Sequence, residues 1–554
     1  MSFITKIKKT DVLIILFILY LSIFCDINYI DVTGYNPIVV GVSIYFTTKI
    51  VQLLLPFLFD KIFLTILFVV LLREIILGYS QLMNSTGILP FCLTGSFIQS
   101  GLYGGFLTIL VCVFSGFIFK ENSAFYKTVI GSGGLTQKKK AILFTQYILL
   151  LLGFAIIFLI ICTQSRTSIL SLVISLSVLA FKNSKAKLFI NKHWLKITCL
   201  IVVFGFGAYF YKKPSADGRF LMNRISIRAI ASNKWNGVGP GNYAGAYGKS
   251  QAALFSEMMS SKNNDIDWEA IGENKRLIAD CPTKAFNEYL NIGVEYGVIS
   301  LMLFSGIIVT AIIQSLKNDN AWCFGLIGFS IFALFSYPLH SLQFQILLPF
   351  LLGACTRGCD SRSDVRHIVF YLAFICIQMF NKNNKNTPNY DSLNMEWSRA
   401  SYWYNAKEYQ YVIETCDNLL LYFLNDYEFL FAYGHSLNKV GQYEKSDSIL
   451  KIGTELSSDP MFWNVMGNNS LAQGRYREAE ERYKYAFYMV PNRLYPLYLL
   501  AKLYYTEGDT VRFLQMAEMV EEFIPKVESV NTESLRTEIR ELKSTLIMTN
   551  NCDQ

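Results

Sequence analysis

Long apolar runs limit the fold of this chain more than any other feature. A bilayer core needs about 20 apolar residues in a helix, with about 17 as a lower limit. Eleven segments meet or approach this length, the sixth, seventh and tenth being the shortest. The pattern predicts an all-α polytopic membrane bundle of about eleven spans, at approximately residues 11–27, 37–59, 62–79, 101–120, 141–163, 167–182, 196–211, 293–315, 321–338, 341–355 and 364–380.

The composition excludes several other classes of protein. Hydrophobic residues make up 52% of the 554 residues and charged residues only 17%, whereas soluble domains carry about 25% charge. This balance excludes a single soluble domain, a disordered chain and a protein dominated by a basic nucleic-acid-binding surface. The expected partner is therefore a membrane, and no nucleic-acid partner is expected.

Basic residues are concentrated in every second loop between the predicted spans. Residues 28–36 and 80–100 contain no Lys or Arg, whereas the N-terminus and the loops around 120–140, 182–196 and 357–366 are rich in them. Because basic loops stay on the cytoplasmic side, we expect a cytoplasmic N-terminus. The segments 212–292 and 381–554 then lie outside, in the periplasm if the membrane is the bacterial inner membrane.

The C-terminal segment repeats itself every 33–34 residues. Gly434, Gly467 and Ala501 recur at this spacing, at positions where two helices would cross closely. Together with Trp463 and Pro491 they resemble the tetratricopeptide repeat, a helix–turn–helix unit of about 34 residues. Such units stack into a solenoid, and the resemblance implies three or four of them in a structural or partner-docking module.

These patterns divide the chain into four predicted parts. Membrane spans occupy 1–211 and 293–380, and a periplasmic loop occupies 212–292 between them. A periplasmic, tetratricopeptide-like domain occupies 381–554.

Arginines near the predicted outer surface are candidates for phosphate binding. Arg166 stands in TQSRTSIL at the end of an apolar run, and Arg219 and Arg224 stand in the loop. The planar guanidinium group binds phosphate oxygens in a bidentate way. For Arg166, the alternative is an anchor that reaches the membrane interface.

Glycines and carboxylates mark the end of the same loop. Gly237, Gly239 and Gly241 are expected to shape a turn that lets backbone approach a ligand. Glu288 and Glu295 are seven residues apart, which places them on one face of a helix. Each is a candidate base or a structural counter-ion.

Five motifs follow one another along the chain, namely GSFIQSGLYGGFL (95–107), SRTSIL (165–170), ADGRFLMNRIS (216–226), WNGVGPGNYAGAY (235–247) and NEYLNIGVEYGVISL (287–301). In this order and topology they resemble the O-antigen ligase and polysaccharide polymerase family, which includes O-oligosaccharyltransferases. The resemblance implies a membrane glycosyltransferase that moves a glycan from a polyprenyl-diphosphate donor to an acceptor hydroxyl, without nucleotide, metal or other cofactor. The implied acceptor is a lipid A-core sugar, another glycan or a protein.

The resemblance also implies roles for individual residues. Arg166 and Arg219 would hold the diphosphate, with Arg224 as a weaker third. Family members often have a His where this chain has Phe286, so the base is left to two candidates, Glu288 and His340. Two further alternatives are an acceptor that needs little help from a base and an inactive copy of the enzyme.

Two other classes of function remain as rivals. A transporter of polyprenyl-linked glycans would show a polar path through several spans and internal repeats in the membrane half. A non-catalytic membrane scaffold would use the C-terminal repeats to recruit a protein partner.

Overall fold

The computed structural model describes residues 9–24, 37–84, 87–118, 152–182, 213–259, 273–356 and 390–552, together with residues 207, 210 and 266. Within these ranges the chain is helical, as predicted. It forms two compact units. The apolar unit comprises residues 1–211, 286–292 and 299–386, and the helix-pair unit comprises residues 212–285, 293–298 and 387–554.

Helices follow one another along the whole described chain, and a 3-10 turn at Pro338–His340 precedes α12. In chain order they are α1 (Lys9–Phe24), α2 (Pro37–Leu54), α3 (Phe59–Asn84), α4 (Ser100–Ile118), α5 (Leu152–Cys162), α6 (Arg166–Lys182), α7 (Lys213–Ser232), α8 (Tyr243–Met259), α9 (Glu273–Leu277), α10 (Glu288–Lys317), α11 (Cys323–Ala333), α12 (Leu342–Cys355), α13 (Tyr390–Asn405), α14 (Tyr409–Leu419), α15 (Tyr427–Lys439), α16 (Tyr443–Leu456), α17 (Met461–Ala472), α18 (Tyr476–Met489), α19 (Tyr495–Glu507), α20 (Thr510–Glu522) and α21 (Val530–Cys552).

Three of the described helices are long and apolar enough to cross a membrane, namely α3, α4 and α10. Shorter apolar helices lie within or coincide with α1, α2, α5, α6, α11 and α12. These helices coincide in whole or in part with nine of the predicted spans. The predicted spans at 196–211 and 364–380 lie almost wholly outside the described residues, so the count of eleven stays a prediction.

Small residues bring the helices of the apolar unit close together. Helices α4, α6 and α11 pack against one another, and α2 packs against α12. The Ser171 hydroxyl donates to the carbonyl of Gly328 at 2.7 Å, and a Cβ at Gly105 would lie 2.2 Å from the Phe332 ring. Close backbone approach and interhelical hydrogen bonds are typical of helices that pack in a membrane.

Antiparallel helix pairs form most of the other unit. The pairs are α13 with α14, α15 with α16, α17 with α18, and α19 with α20, and α21 packs on the last pair. The first helices of the last three pairs begin at Tyr427, Met461 and Tyr495, which are 34 residues apart. The predicted close crossing at Gly434 and Gly467 is confirmed, because a Cβ there would lie 2.5 Å and 2.3 Å from the partner helix's side chain.

Candidate functional site

The two residues predicted as candidate bases lie side by side in the apolar unit. Oε1 of Glu288 is 3.8 Å from Nδ1 of His340. Oε2 of Glu288 accepts a hydrogen bond from the backbone N–H of Leu339 at 3.0 Å. Glu288 is 2% exposed, whereas the His340 side chain is 22% exposed. The carboxylate therefore lies beneath an imidazole that solvent can reach.

The local sequence sets both side chains in place. Asn287 caps the start of α10, because its side-chain oxygen accepts from the backbone N–H groups of Tyr289 at 3.1 Å and Leu290 at 3.2 Å. Asn is among the preferred residues at this position. Pro338 begins the 3-10 turn that ends at His340. The cap fixes the position of Glu288 at the start of α10. The 3-10 turn places the His340 side chain next to Glu288.

Among the described residues, Nδ1 of His340 has no hydrogen-bond partner. The gap of 3.8 Å to Glu288 is longer than a hydrogen bond. A buried carboxylate beside a more accessible imidazole is an arrangement that serves general-base catalysis. The pair can thus take a proton from a hydroxyl group.

A polar cluster around this pair escaped the sequence analysis. The Tyr337 hydroxyl donates to the Gln99 side-chain oxygen, and the Gln343 amide donates to the carbonyl of Ser96 at 3.2 Å. Phe286 packs edge-on against Tyr337 with 5.2 Å between ring centroids. The signal that could have revealed the cluster is the pair of Gln residues directly before and within apolar helices.

Glu74 is a second buried carboxylate of the apolar unit, and the sequence analysis assigned it no role. It is 1% exposed. Its carboxylate accepts from the Ser96 hydroxyl at 2.8 Å and from the Ser96 N–H at 3.1 Å. Arg73 lies 3.1 Å from its Oε1. Glu74 thus holds the turn before α4, to which Gln343 also bonds.

Arg166 begins helix α6, after the three-residue connection 163–165 that follows α5. Ser165 precedes it, and the Ser165 hydroxyl oxygen accepts from the backbone N–H of Ser168 at 3.3 Å. Arg166 is half-buried. The N-terminus of a helix carries a partial positive charge and favours anions. A guanidinium group placed there adds to that preference for an anion.

Arg219 and Arg224 belong to helix α7 of the helix-pair unit. They are five residues apart, so they point about 140° away from each other around the helix. Arg219 is half-buried and Arg224 is exposed. The third loop arginine, Arg228, bonds Glu257 of α8 at 2.9 Å. The helix therefore presents Arg219 and Arg224 in different directions, which sets Arg224 apart from Arg219.

The glycine turn lies against the backbone of helix α10, and its predicted approach to a ligand stays a prediction. Helix α10 is broken at Gly297, where φ is 82° and ψ is 174°. A Cβ at Gly297 would lie 1.9 Å from the carbonyl oxygen of Trp235, and one at Gly237 would lie 2.4 Å from that of Glu295. The glycines are needed because two stretches of backbone meet here.

Backbone hydrogen bonds from the turn replace those that α10 loses at its break. The N–H groups of Val238 and Gly239 donate to the carbonyls of Val294 and Glu295 at 3.0 and 2.9 Å, and the N–H of Val298 donates to Lys234 at 3.0 Å. We call these bonds the backbone clamp. The Glu295 carboxylate adds a bond from the N–H of Gly241 at 3.2 Å. Glu295 is thus a structural partner of the turn.

One segment of the chain is similar to a known protein family. Residues 148–305 match the family model described as O-Antigen ligase. No curated protein matches the chain. The match supports a ligase-like function that transfers a glycan in a membrane.

The segment that matches the O-antigen ligase model contains Arg166, Arg219, Arg224 and Glu288, as well as the backbone clamp. His340 lies beyond its end, so only the fold connects this residue to Glu288. In the described ranges, no three His, Cys, Asp or Glu side chains converge as a metal site would require.

Proposed function

We propose that this chain is a membrane glycosyltransferase that transfers a glycan from a polyprenyl-diphosphate donor to an acceptor hydroxyl. The observation that carries the proposal is the Glu288–His340 pair, which joins the end of the O-antigen ligase segment to a histidine outside it. A general base assists transfer to a hydroxyl, and the pair can supply one where Phe286 cannot.

In this mechanism, arginines stabilise the leaving diphosphate. Negative charge grows on the phosphate oxygens as the bond to the sugar breaks, and fixed positive groups lower the energy of that state. Arg166 suits this role because a helix N-terminus supports it. Arg219 would bind the same group from the loop, with Arg224 as a weaker contributor.

His340 is the proposed general base, and Glu288 is the residue that orients it. The imidazole accepts the proton of the acceptor hydroxyl while the hydroxyl oxygen attacks the anomeric carbon and the diphosphate departs. The Glu288 carboxylate then stabilises the imidazolium that forms. Its burial gives the interaction strength, because charges attract more strongly where water is excluded.

The proposed setting is the inner membrane of a bacterium, with segment 212–292 and the C-terminal helix pairs in the periplasm. The 34-residue spacing of the pairs supports a tetratricopeptide-like solenoid. The acceptor class stays open among a lipid A-core sugar, a second lipid-linked glycan and a protein hydroxyl.

The test is turnover by the purified chain in detergent with a synthetic polyprenyl-diphosphate glycan and each class of acceptor in turn. We expect release of polyprenyl diphosphate together with one glycosylated acceptor. Passage of the intact donor across a liposome bilayer without glycosylation would instead favour the transporter. The absence of both would favour the scaffold.

A further inference from the structure

Helix α8 lies directly on the helix pairs, without space for a side chain at its contact points. A Cβ at Gly245 would lie 2.0 Å from the carbonyl oxygen of Glu455, at the end of α16. A Cβ at Gly248 would lie 3.0 Å from Cα of Ser458. The helix therefore reaches the backbone between α16 and α17, and this face of the helix pairs is already occupied.

A buried glutamine joins three segments at this contact. Gln251 is fully buried. Its amide nitrogen donates to the carbonyl of Asp280 at 2.9 Å and to that of Met489 at the end of α18. Its oxygen accepts from the Tyr247 hydroxyl at 2.8 Å. The Gln251 side chain thus donates hydrogen bonds to one backbone carbonyl of the loop and to one backbone carbonyl of the helix pairs.

A buried asparagine makes the reverse connection from the helix pairs to the loop. Asn492, 2% exposed, follows α18. Its amide nitrogen lies 2.6 Å from the carbonyl oxygen of Ala279 and 3.2 Å from that of Arg276. Buried carbonyls need such partners, because leaving them without one is costly.

The contact continues from α8 to the helix that carries the arginines. The hydroxyls of Ser226 in α7 and Tyr243 in α8 are 2.8 Å apart. Arg228 and Glu257 connect the same two helices. Arg219 and Arg224 therefore belong to a helix that is held by α8, which is held in turn by the helix pairs.

We propose that the C-terminal helix pairs serve as the scaffold of the donor-binding loop, and that Gln251 and Asn492 are its positioning residues. The helix pairs thereby act in the transfer reaction itself, by fixing the helix that bears Arg219 and Arg224. The face around residues 454–458 and 489–492 is then a scaffold for the loop and does not recruit a partner protein. The catalytic part of this inference rests on the proposed function.

The test uses two isosteric variants of the full chain in detergent, Gln251→Glu and Asn492→Asp. Each keeps the shape of the side chain and removes its amide donors. The control is Lys249→Met in the same helix, because Lys249 pairs with Glu455 at an exposed position and such pairs contribute little. The measurements are hydrogen–deuterium exchange of peptides covering 213–259, which include Gln251, and of peptides covering 273–280, which Asn492 contacts, together with kcat and KM for the donor.

We expect exchange to rise at least about tenfold across 213–259 in Gln251→Glu and across 273–280 in Asn492→Asp, and to stay unchanged in the control. The KM for the donor should rise about five- to tenfold while kcat per folded molecule changes less than about twofold. A fall in kcat per folded molecule with an unchanged KM would overturn the positioning role, because it indicates a loss in the chemical step instead of weaker donor binding.

Unchanged exchange in both variants would overturn the scaffold itself. If the wild-type chain shows no turnover, the proposed function fails, while the exchange measurement still decides whether the helix pairs hold the loop.

Discussion

Oε1 of Glu288 and Nδ1 of His340 lie 3.8 Å apart, one at the first residue of α10 and the other in the turn before α12. The two side chains differ in exposure to solvent, and this difference suits them to different roles. The buried carboxylate can stabilise charge but meets little solvent, whereas the imidazole can reach a substrate. The two groups should therefore behave as one functional unit.

Replacing either member of the pair should remove general-base catalysis. We expect Glu288→Gln and His340→Asn each to lower kcat by about 100- to 10,000-fold. The double variant should lose little more than the worse single one, because residues that act as a unit are not additive. The measurement is the rate of polyprenyl diphosphate release. Additive losses would contradict the pairing, and Glu444→Gln at an exposed position serves as the control.

Substitutions by Ala and by Lys should separate the contribution of each arginine's charge from that of its planar shape. Arg166→Ala and Arg219→Ala should each lower kcat/KM for the donor by about 100-fold, and Arg→Lys should restore only part of it because Lys lacks the planar fork. Arg224→Ala should have a smaller effect. Arg477→Ala is the matched control, since its side chain is 93% exposed. Full activity of either of the first two Ala variants would refute that arginine's assignment.

Closing the space at the break in α10 should destabilise the helix-pair unit. Gly297→Ala places a Cβ against the carbonyl of Trp235 and forces a backbone conformation that is essentially confined to glycine, at a cost of about 1–3 kcal/mol or more. We expect the thermal midpoint to fall by about 5–10 °C. Gly218→Ala is the control, because its new Cβ would meet nothing closer than 3.9 Å. Equal midpoints for the two variants would argue against the backbone clamp.

The helix pairs should lose stability in mild acid because of His435. Burial, with the nearby charge of Lys439, lowers the pKa of this residue to about 4. Between the ordinary value of about 6.5 and this value, the unfolded chain binds a proton that the folded chain does not. Stability is therefore retained above about pH 6.5 and falls as the pH drops toward 4, by up to about 1.4 kcal/mol per pH unit.

The measurement is chemical unfolding of the full chain across this pH window, compared with His435→Asn. The Asn variant can keep a hydrogen bond to the Tyr404 hydroxyl, which lies 2.9 Å from Nδ1 in the parent. We expect a shallower pH dependence in the variant. Parallel curves would show that other groups cause the loss.

Structural elements whose residues form apolar runs or recur at a regular spacing were predictable from the sequence. The apolar runs predicted most of the helices of the apolar unit, since hydrophobicity over a run of residues is a local property. The recurrence of Gly434 and Gly467 predicted a close crossing, which the contacts with Leu450 and Tyr483 confirm. Both features depend on spacing alone, so they needed no knowledge of the tertiary fold.

Contacts between distant segments were not predictable in the same way. Glu288 and His340 were each singled out, but nothing in their spacing showed that a 3-10 turn would bring them together. The contact of the glycine turn with α10 at Gly297 was not foreseen, because a close approach of backbone looks the same in sequence whatever its partner is. Residues such as Glu74 and Gln251 became visible only through their burial.

The backbone clamp also sets which changes this protein tolerates. Its bonds join main-chain atoms at Lys234, Val238 and Gly239 to those of α10, so the side chains at Lys234 and Val238 are free to vary. The length of the turn is not, because removing one residue would shift every N–H out of register with its carbonyl. Related sequences should therefore differ by substitutions within this turn, and their insertions and deletions should lie in other parts of the chain.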